Sequence, residues 1–355
     1  MLDSIKTYEK YDKDEVSFGI ERLAEQVHTS WDQTRKISVP ASMKKVQNVV
    51  LVGMGGSGIG AEIVSAALSR ELRVPVTTVH DYQLPSFVSS KTLVILTSFS
   101  GDTEEVLSAA KEAQKKKAKM LVVTSGGKLR AFAKRAGAPF YQFSPKELAA
   151  RPNLGMGFLV VGMLGLLERV GLVRISNARI GRMVDAMTEV ADSCALNVET
   201  KDNPAKTVAD ALKGKPLLFV GSEHLVGSVS AVAYQVNEMA KQYAKFMALP
   251  ELNHHFFESL SCPDNFFCQF GVLMVKSDHY NKRTRIRYEM TADLFEKLGA
   301  NVIDYETRGS DQLEEVGEMM QFGSFLAYYL GVQNKSQLTQ IPYVDLIKKK
   351  MTKEK

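Results

Sequence analysis

The sequence predicts an α/β protein made of two three-layer αβα units, each with a parallel sheet covered by helices. Three observations carry this. From residue 46 to 143, short β-branched runs alternate with helix-length stretches, a glycine-rich loop follows the first run directly, and a fainter strand–loop–helix pattern starts again at Pro216. At 355 residues the chain is too long for one comfortable core and suits two domains. A composition of 45% hydrophobic and 24% charged residues is that of an ordinary soluble protein.

In chain order, residues 1–40 read as a helical lead-in, with Phe18, Ile20, Leu23 and Val27 at helical spacing before Pro40. Residues 41–195 form the first unit, with strands expected at Val49–Val52, Val76–Val79, Leu93–Leu96, Met120–Val123 and Phe140–Phe143. The longest apolar run, Leu154–Leu167, is too short to span a bilayer and is interrupted by four glycines; a buried, closely packed helix is the expectation, compatible with a subunit contact. The polar stretch Glu199–Lys206 suggests a boundary. Residues 196–335 form the second unit, in which LLFVGSEHLVGS echoes VVLVGMGGSGIG and the apolar runs at Phe266–Val275 and Asn301–Tyr305 complete a smaller sheet. A terminal helix over 336–355 follows Pro342.

Two loops carry the chemistry. The first, Val49–Gly60, has glycines at 53, 55, 56, 58 and 60 and a hydroxyl at Ser57, so its backbone can turn several N–H groups toward one anion. The second, Leu93–Glu105, presents Ser98, Ser100 and Thr103 between a strand and a helix-prone stretch. Hydroxyls at a helix N-terminus can hold a phosphate without lysine. Gly55, Gly56, Ser57, Ser98, Ser100 and Thr103 are therefore the candidate phosphate ligands. Gly53, Gly55 and Gly58 also satisfy the dinucleotide fingerprint, but the acidic residue it needs is absent at the expected distance, since Asp81, after His80, comes several residues late. The second unit has no counterpart of the Ser/Thr cluster, so only the first should bind phosphate.

Other classes are excluded by composition. Lys and Arg exceed Asp and Glu by 45 to 40, but the excess sits in Lys115–Lys119 and the tail from Lys348, neither interleaved with aromatics, so both read as solvated faces and not as a nucleic-acid surface. Cys194, Cys262 and Cys268 show neither a disulfide framework nor metal spacing, which fits a reducing, cytoplasmic setting without a metal or other cofactor. The charged N-terminus carries no secretory signal, and no membrane association is expected.

With both loops in view, the chain resembles the sugar isomerase (SIS) domain proteins, and within them the bifunctional phosphoglucose/phosphomannose isomerases. GMGGSGIG at 53–60 and SFSGDTEE at 98–105 are similar to that family's two loops; Arg151-Pro152, QVNEMAK at 235–241, LPELNH at 249–254 and the closing Val344–Lys348 extend the similarity along the chain. The chain departs from the pattern at Asp102, at Ala61, and at His255 and Phe256, which follow Asn253 and His254. The resemblance implies SIS-type, flavodoxin-like domains and aldose–ketose isomerisation between glucose 6-phosphate and fructose 6-phosphate through an enediol. Whether mannose 6-phosphate is also used stays open, because the C-terminal threonine associated with it in some members is not placed by Thr339, Gln340 and Ile341.

Such a reaction needs a base, a ring-opening acid/base and a charge stabiliser. By resemblance Glu238 is the base; it lies in the apolar stretch Ala231–Lys241, where burial would raise its pKa usefully, although a solvent-facing helix Glu is the commoner fate. The resemblance gives ring opening to His254, with His255 in reserve, enediolate stabilisation to Arg151, and a terminal-helix contact to Lys348, or its neighbours Lys349 and Lys350. It also implies a homodimer in which the neighbouring subunit supplies the histidine. A non-catalytic SIS module that senses a sugar phosphate, or another SIS sugar-phosphate isomerase, would share the same loops.

Overall fold

The computed structural model describes residues 1–145, 148, 149 and 154–351. Helices α1 (Ile5–Tyr11), α2 (Val16–Glu21) and α3 (Leu23–Thr34) form the lead-in. Ile20, Leu23 and Val27 are buried as the helical spacing requires, whereas Phe18 stays 44% exposed with the Arg22 guanidinium over its ring.

The first sheet comprises β1 (Asn48–Val52), β2 (Val76–Val79), β3 (Thr92–Ser98), β4 (Lys119–Thr124) and β5 (Phe140–Gln142), so each expected strand is present. The order β2-β1-β3-β4-β5 is parallel throughout, the flavodoxin-like arrangement. Both faces are apolar, as a covered parallel sheet demands. Val50, Val52, Val94, Leu96 and Val122 pack under α5 (Glu104–Lys115) and α6 (Gly127–Ala136), while Val49, Leu51, Leu93, Ile95 and Val123 join the main core beneath α4 (Gly56–Ala67) and α7 (Met156–Val170).

Helix α7 is the buried, closely packed helix expected, and its burial is within its own chain and not at a subunit contact. It packs against α3, and its glycines make room for neighbours there: a Cβ at Gly165 would lie 2.1 Å from Thr34 Oγ1, and one at Gly162 2.7 Å from the Tyr141 ring.

Helices α8 (Asn177–Ser193) and α9 (Pro204–Leu212) lead to the second sheet of β6 (Leu217–Ser222), β7 (Ala244–Leu249), β8 (Gly271–Lys276) and β9 (Asn301–Glu306). Its parallel order β7-β6-β8-β9 repeats the first sheet without a fifth strand. Strand β7 is absent from the expected set, and β8 starts only at Gly271 because Phe267–Gln269 forms a short 3-10 turn. Helix α10 (Val226–Gln235) follows β6, α11 (Lys282–Lys297) follows β8, and the buried α12 (Gln312–Gln333) packs against α8 and α10. The exposed α13 (Pro342–Met351) ends the described chain.

One crossing positions the site. Helix α10 meets α4 of the first unit backbone to backbone, because Gly227 has no Cβ; a Cβ there would stand 2.5 Å from Ile63 Cα. The contact brings the C-terminal end of α10 beside the glycine loop.

Candidate active site

The glycine and serine loops emerge from the carboxyl ends of β1 and β3, adjacent strands at the point where the sheet order reverses, which is where open parallel sheets bind ligands. Gly55 caps α4 with φ +52, and no atom lies within 4 Å of where its Cβ would be, so it opens onto solvent. Gly53 serves a different need: a Cβ there would press within 2.7 Å of the Ser57 backbone in the first turn of α4. Ser57 is buried and its Oγ accepts a hydrogen bond from Phe99 N at 3.1 Å, which stitches the two loops together. Ser98 is also buried; its Oγ accepts from Gly101 N at 3.0 Å and lies 2.8 Å from Thr103 Oγ1. Ser100 is exposed and its Oγ accepts from Asp102 N, leaving its proton free for a ligand. Gly101, at φ +76, packs onto the Gly126 carbonyl of the following loop.

Glu238 sits on a π-helical turn, Val236–Ala240, that continues α10. Such turns are uncommon and cluster at functional sites. Lys241, left-handed at φ 53, ends the turn and donates to the Glu238 carbonyl and, at 2.6 Å, to the Gln340 carbonyl. Asn237 fixes the next strand: its Oδ1 accepts from Ala244 N at 2.9 Å and its Nδ2 donates to Ala244 O at 3.0 Å. Burial pushes the Glu238 carboxyl above the usual range, with the charges of Lys241 and Lys348 pulling the other way.

An open cleft of about 360 Å³ is lined by Gly55, Gly58, Ile59, Glu62, His80, Tyr234, Asn237 and Glu238. The structure therefore brings the glycine loop of the first unit and Glu238 of the second together, and Lys348 close enough to act on Glu238 by charge. It does not bring His254 to them. Glu238 precedes β7 and His254 follows it, so a six-residue strand about 20 Å long lies between them, and His254 does not line the cleft. His254 is exposed on a short 3-10 turn, Glu251–His254, and His255 lies 3.8 Å from Glu251. Arg151 and Pro152 lie outside the described residues. Thr339 is turned to the lead-in, donating to Asp14.

Sequence reasoning passed over His80, Glu62 and Tyr234. The available signal was positional: His80 follows the end of a strand neighbouring β1, and Glu62 lies on the face of α4 that meets α10.

The corresponding crevice of the second sheet is filled. There the buried Glu315 of α12 accepts from Ser277 Oγ at 2.6 Å and Thr307 Oγ1 at 2.7 Å, and pairs with His224 Nε2 at 2.5 Å and His279 Nδ1 at 3.1 Å. A carboxylate of the chain stands where an anion would enter. Among the described residues, no cluster of three His, Cys, Asp or Glu side chains is placed to hold a metal, and no helix is long and apolar enough to cross a membrane.

Residues 201–351 match the bacterial phospho-glucose isomerase C-terminal SIS domain, and residues 42–136 the SIS domain. A bifunctional phosphoglucose/phosphomannose isomerase of Caldicellulosiruptor bescii is 29% identical over 341 residues, covering 95% of this chain and 99% of that protein. The chain belongs to the SIS-domain bifunctional phosphoglucose/phosphomannose isomerase family. Its similarity extends to a D-glucosamine-6-phosphate 4-epimerase of Sulfolobus acidocaldarius, 30% identical over 246 residues, 68% of this chain and 72% of that protein. The fold matches a hypothetical protein of Thermus thermophilus with a TM-score of 0.77 at 17% identity, over 98% of this chain and 92% of that one.

Proposed function

We propose that this protein is an aldose–ketose isomerase interconverting glucose 6-phosphate and fructose 6-phosphate, with mannose 6-phosphate as the second aldose that the names of its bifunctional relatives suggest. The observation that carries the reading is the shared cleft, in which a carboxylate of raised pKa faces a glycine loop stitched to a hydroxyl-rich one. The substrate's phosphate would meet Ser100, Thr103 and the N-terminus of α5, with the amides of Gly55, Gly56 and Ser57 nearer the sugar. Ser98, buried beneath Thr103, would orient that hydroxyl.

Glu238 then takes the proton from C2 of the open-chain aldose and returns it to C1 of the cis-enediol. A carboxylate suits this exchange because one group accepts and delivers on the same face, and desolvation brings its pKa toward neutrality. Lys348 and Arg151 are the proposed positive groups around the enediolate oxygens. Ring opening falls to His254 of a second subunit in a homodimer, an assignment supported by the placement of His254 outside the cleft that Glu238 lines in one chain. Exposed apolar side chains on α13, including Tyr343, Leu346 and Ile347, and along α11 and its C-cap, where Ile286, Met290, Leu294 and Leu298 recur every fourth residue, offer surface for that partner. The enzyme is proposed to act in the cytoplasm without a cofactor.

A coupled assay with glucose 6-phosphate, mannose 6-phosphate and glucosamine 6-phosphate tests this. Production of fructose 6-phosphate from the first two is expected. Turnover of only the amino sugar would replace the reading by that of the epimerase relative, and binding without turnover of any would leave a sensing module.

A further inference from the structure

The glycine loop is gripped from behind by a histidine. His80, the residue after β2, places Nδ1 2.8 Å from the Gly53 carbonyl oxygen and Nε2 3.2 Å from Glu62 Oε1. A carbonyl and a carboxylate only accept hydrogen bonds, so a ring that donates to both needs a proton on each nitrogen and is then a cation. Glu62 is itself fixed, since its other oxygen accepts from Ser230 Oγ of α10 at 3.1 Å. The ring also explains Gly58: a Cβ there would lie 2.8 Å from His80 Nδ1. Of the three fingerprint glycines, Gly53 and Gly58 thus clear space for neighbouring atoms, and Gly55 and Gly58 line the cleft.

We propose that His80 is a positioning residue for the anionic substrate: clamped as an imidazolium between the Gly53 carbonyl and Glu62, it fixes the direction of the glycine-loop amides and supplies positive charge to a cleft whose described lining holds Glu62 and Glu238 but neither Lys nor Arg. The inference rests on the sugar-phosphate reading of the cleft and is independent of turnover. Of the titratable groups, Glu62 from α4 pairs with the ring, Tyr234 and Glu238 from α10 and its π-helical turn line the same cleft, and Asp81 and Tyr82 follow His80 in the chain. The hydrogen bond to Glu62 raises the His80 pKa above its ordinary value, against the effect of burial, and the bond to Gly53 adds to the rise. Below that pKa the clamp is closed. Above it the ring loses one proton and one of its two bonds, and the anion loses a nearby positive charge.

Substrate affinity should accordingly pass through a maximum. It rises as the phosphate completes its second ionisation near about pH 6, and falls as His80 deprotonates. The test uses calorimetric binding of fructose 6-phosphate to the Glu238→Gln protein, so that no turnover intervenes, at pH values between about 6 and 9. A further His80→Asn change, which keeps a donor for Gly53 but has no charge, should weaken binding about tenfold near neutrality and flatten the alkaline fall. In the otherwise wild-type enzyme the same change should raise KM while leaving kcat within about threefold.

An alkaline fall that survives His80→Asn unchanged overturns the proposal. If that variant does not fold, Glu62→Gln takes its place; the alkaline fall should then move to lower pH, and an unmoved one overturns the clamp. NMR of the His80 ring in the ligand-free protein separates this from the functional reading. A doubly protonated ring at neutral pH supports the clamp even if fructose 6-phosphate fails to bind, whereas a neutral ring refutes it whatever binds.

Discussion

Glu238 carries two opposing effects. Burial disfavours its charged form, and the charges of Lys241 and Lys348 only partly offset that. A base whose pKa is raised is protonated, and idle, at a higher pH than an ordinary carboxylate. The kcat of the isomerase should fall on the acid side, through a pKa above the usual Glu range, and Lys348→Met should move that limb to still higher pH; a limb unmoved by the change would separate Lys348 from the base. Glu238→Gln should lower kcat by a factor of about 10³, the loss expected for removing a general base, while fructose 6-phosphate binding persists. The same substitution should raise stability at neutral pH by about 1 kcal/mol, because the fold no longer confines a partly desolvated charge. The sign follows from linkage. An acid with a raised folded pKa destabilises the fold above that pKa, and the penalty disappears as the pH falls and the group protonates. A melting curve at pH 7 for both proteins checks it.

At the scale of elements, the N-terminal part of α12 acts as a plug. Glu315 gathers His224, Ser277, His279 and Thr307, which come from the ends of β6, β8 and β9. Burial would push its carboxyl up, but these hydrogen bonds outweigh burial and hold it below the usual range, while the bond to Glu315 raises His279. The stabilisation from Glu315 is present above its unfolded pKa and is lost as pH falls through its depressed folded value. That from His279 is full below its unfolded pKa and is lost as pH rises through its elevated folded one. Stability should therefore be greatest between the two, and Glu315→Ala, which strands buried partners, should cost about 3 kcal/mol in urea unfolding. A loss below about 0.5 kcal/mol would mean that the crevice closes without the carboxylate.

Elements also show what could be read from the chain alone. Strands β1, β3 and β4 were legible because parallel strands buried on both faces keep continuous Val, Leu and Ile runs. Strand β7 was not, because AKFMAL lacks β-branched residues and lies at the sheet edge with a half-exposed face. The loops were legible because local backbone demands leave glycines and hydroxyls in fixed order. The meeting of His80, Glu62 and Glu238 depends on α4 crossing α10 at Gly227, a contact far apart in sequence that no local pattern encodes.

At the scale of the whole molecule, one chain is an incomplete catalyst if both Glu238 and His254 act. They flank opposite ends of β7, a strand about 20 Å long, and the cleft lined by Glu238 is not lined by His254. A two-fold dimer that laid the His254 turn of each subunit over the other's cleft would complete both sites at once, since an isologous interface repeats every contact. This arrangement makes a prediction that no single-chain site can mimic. Glu238→Gln and His254→Ala proteins should each be nearly inactive alone. Denatured together in equal amounts and refolded, half of the dimers are mixed, and each mixed dimer holds one site with both native residues and one with neither, so about a quarter of the wild-type activity should return. Recovery should require subunit exchange, be absent when folded homodimers are briefly mixed, and fall on dilution below the dimer dissociation constant. If both variants are inactive alone and a mixed population verified by mass does not regain activity, His254 does not act across the interface. If His254→Ala alone keeps full activity, the ring-opening role passes from it to another group, with His255 the first to test.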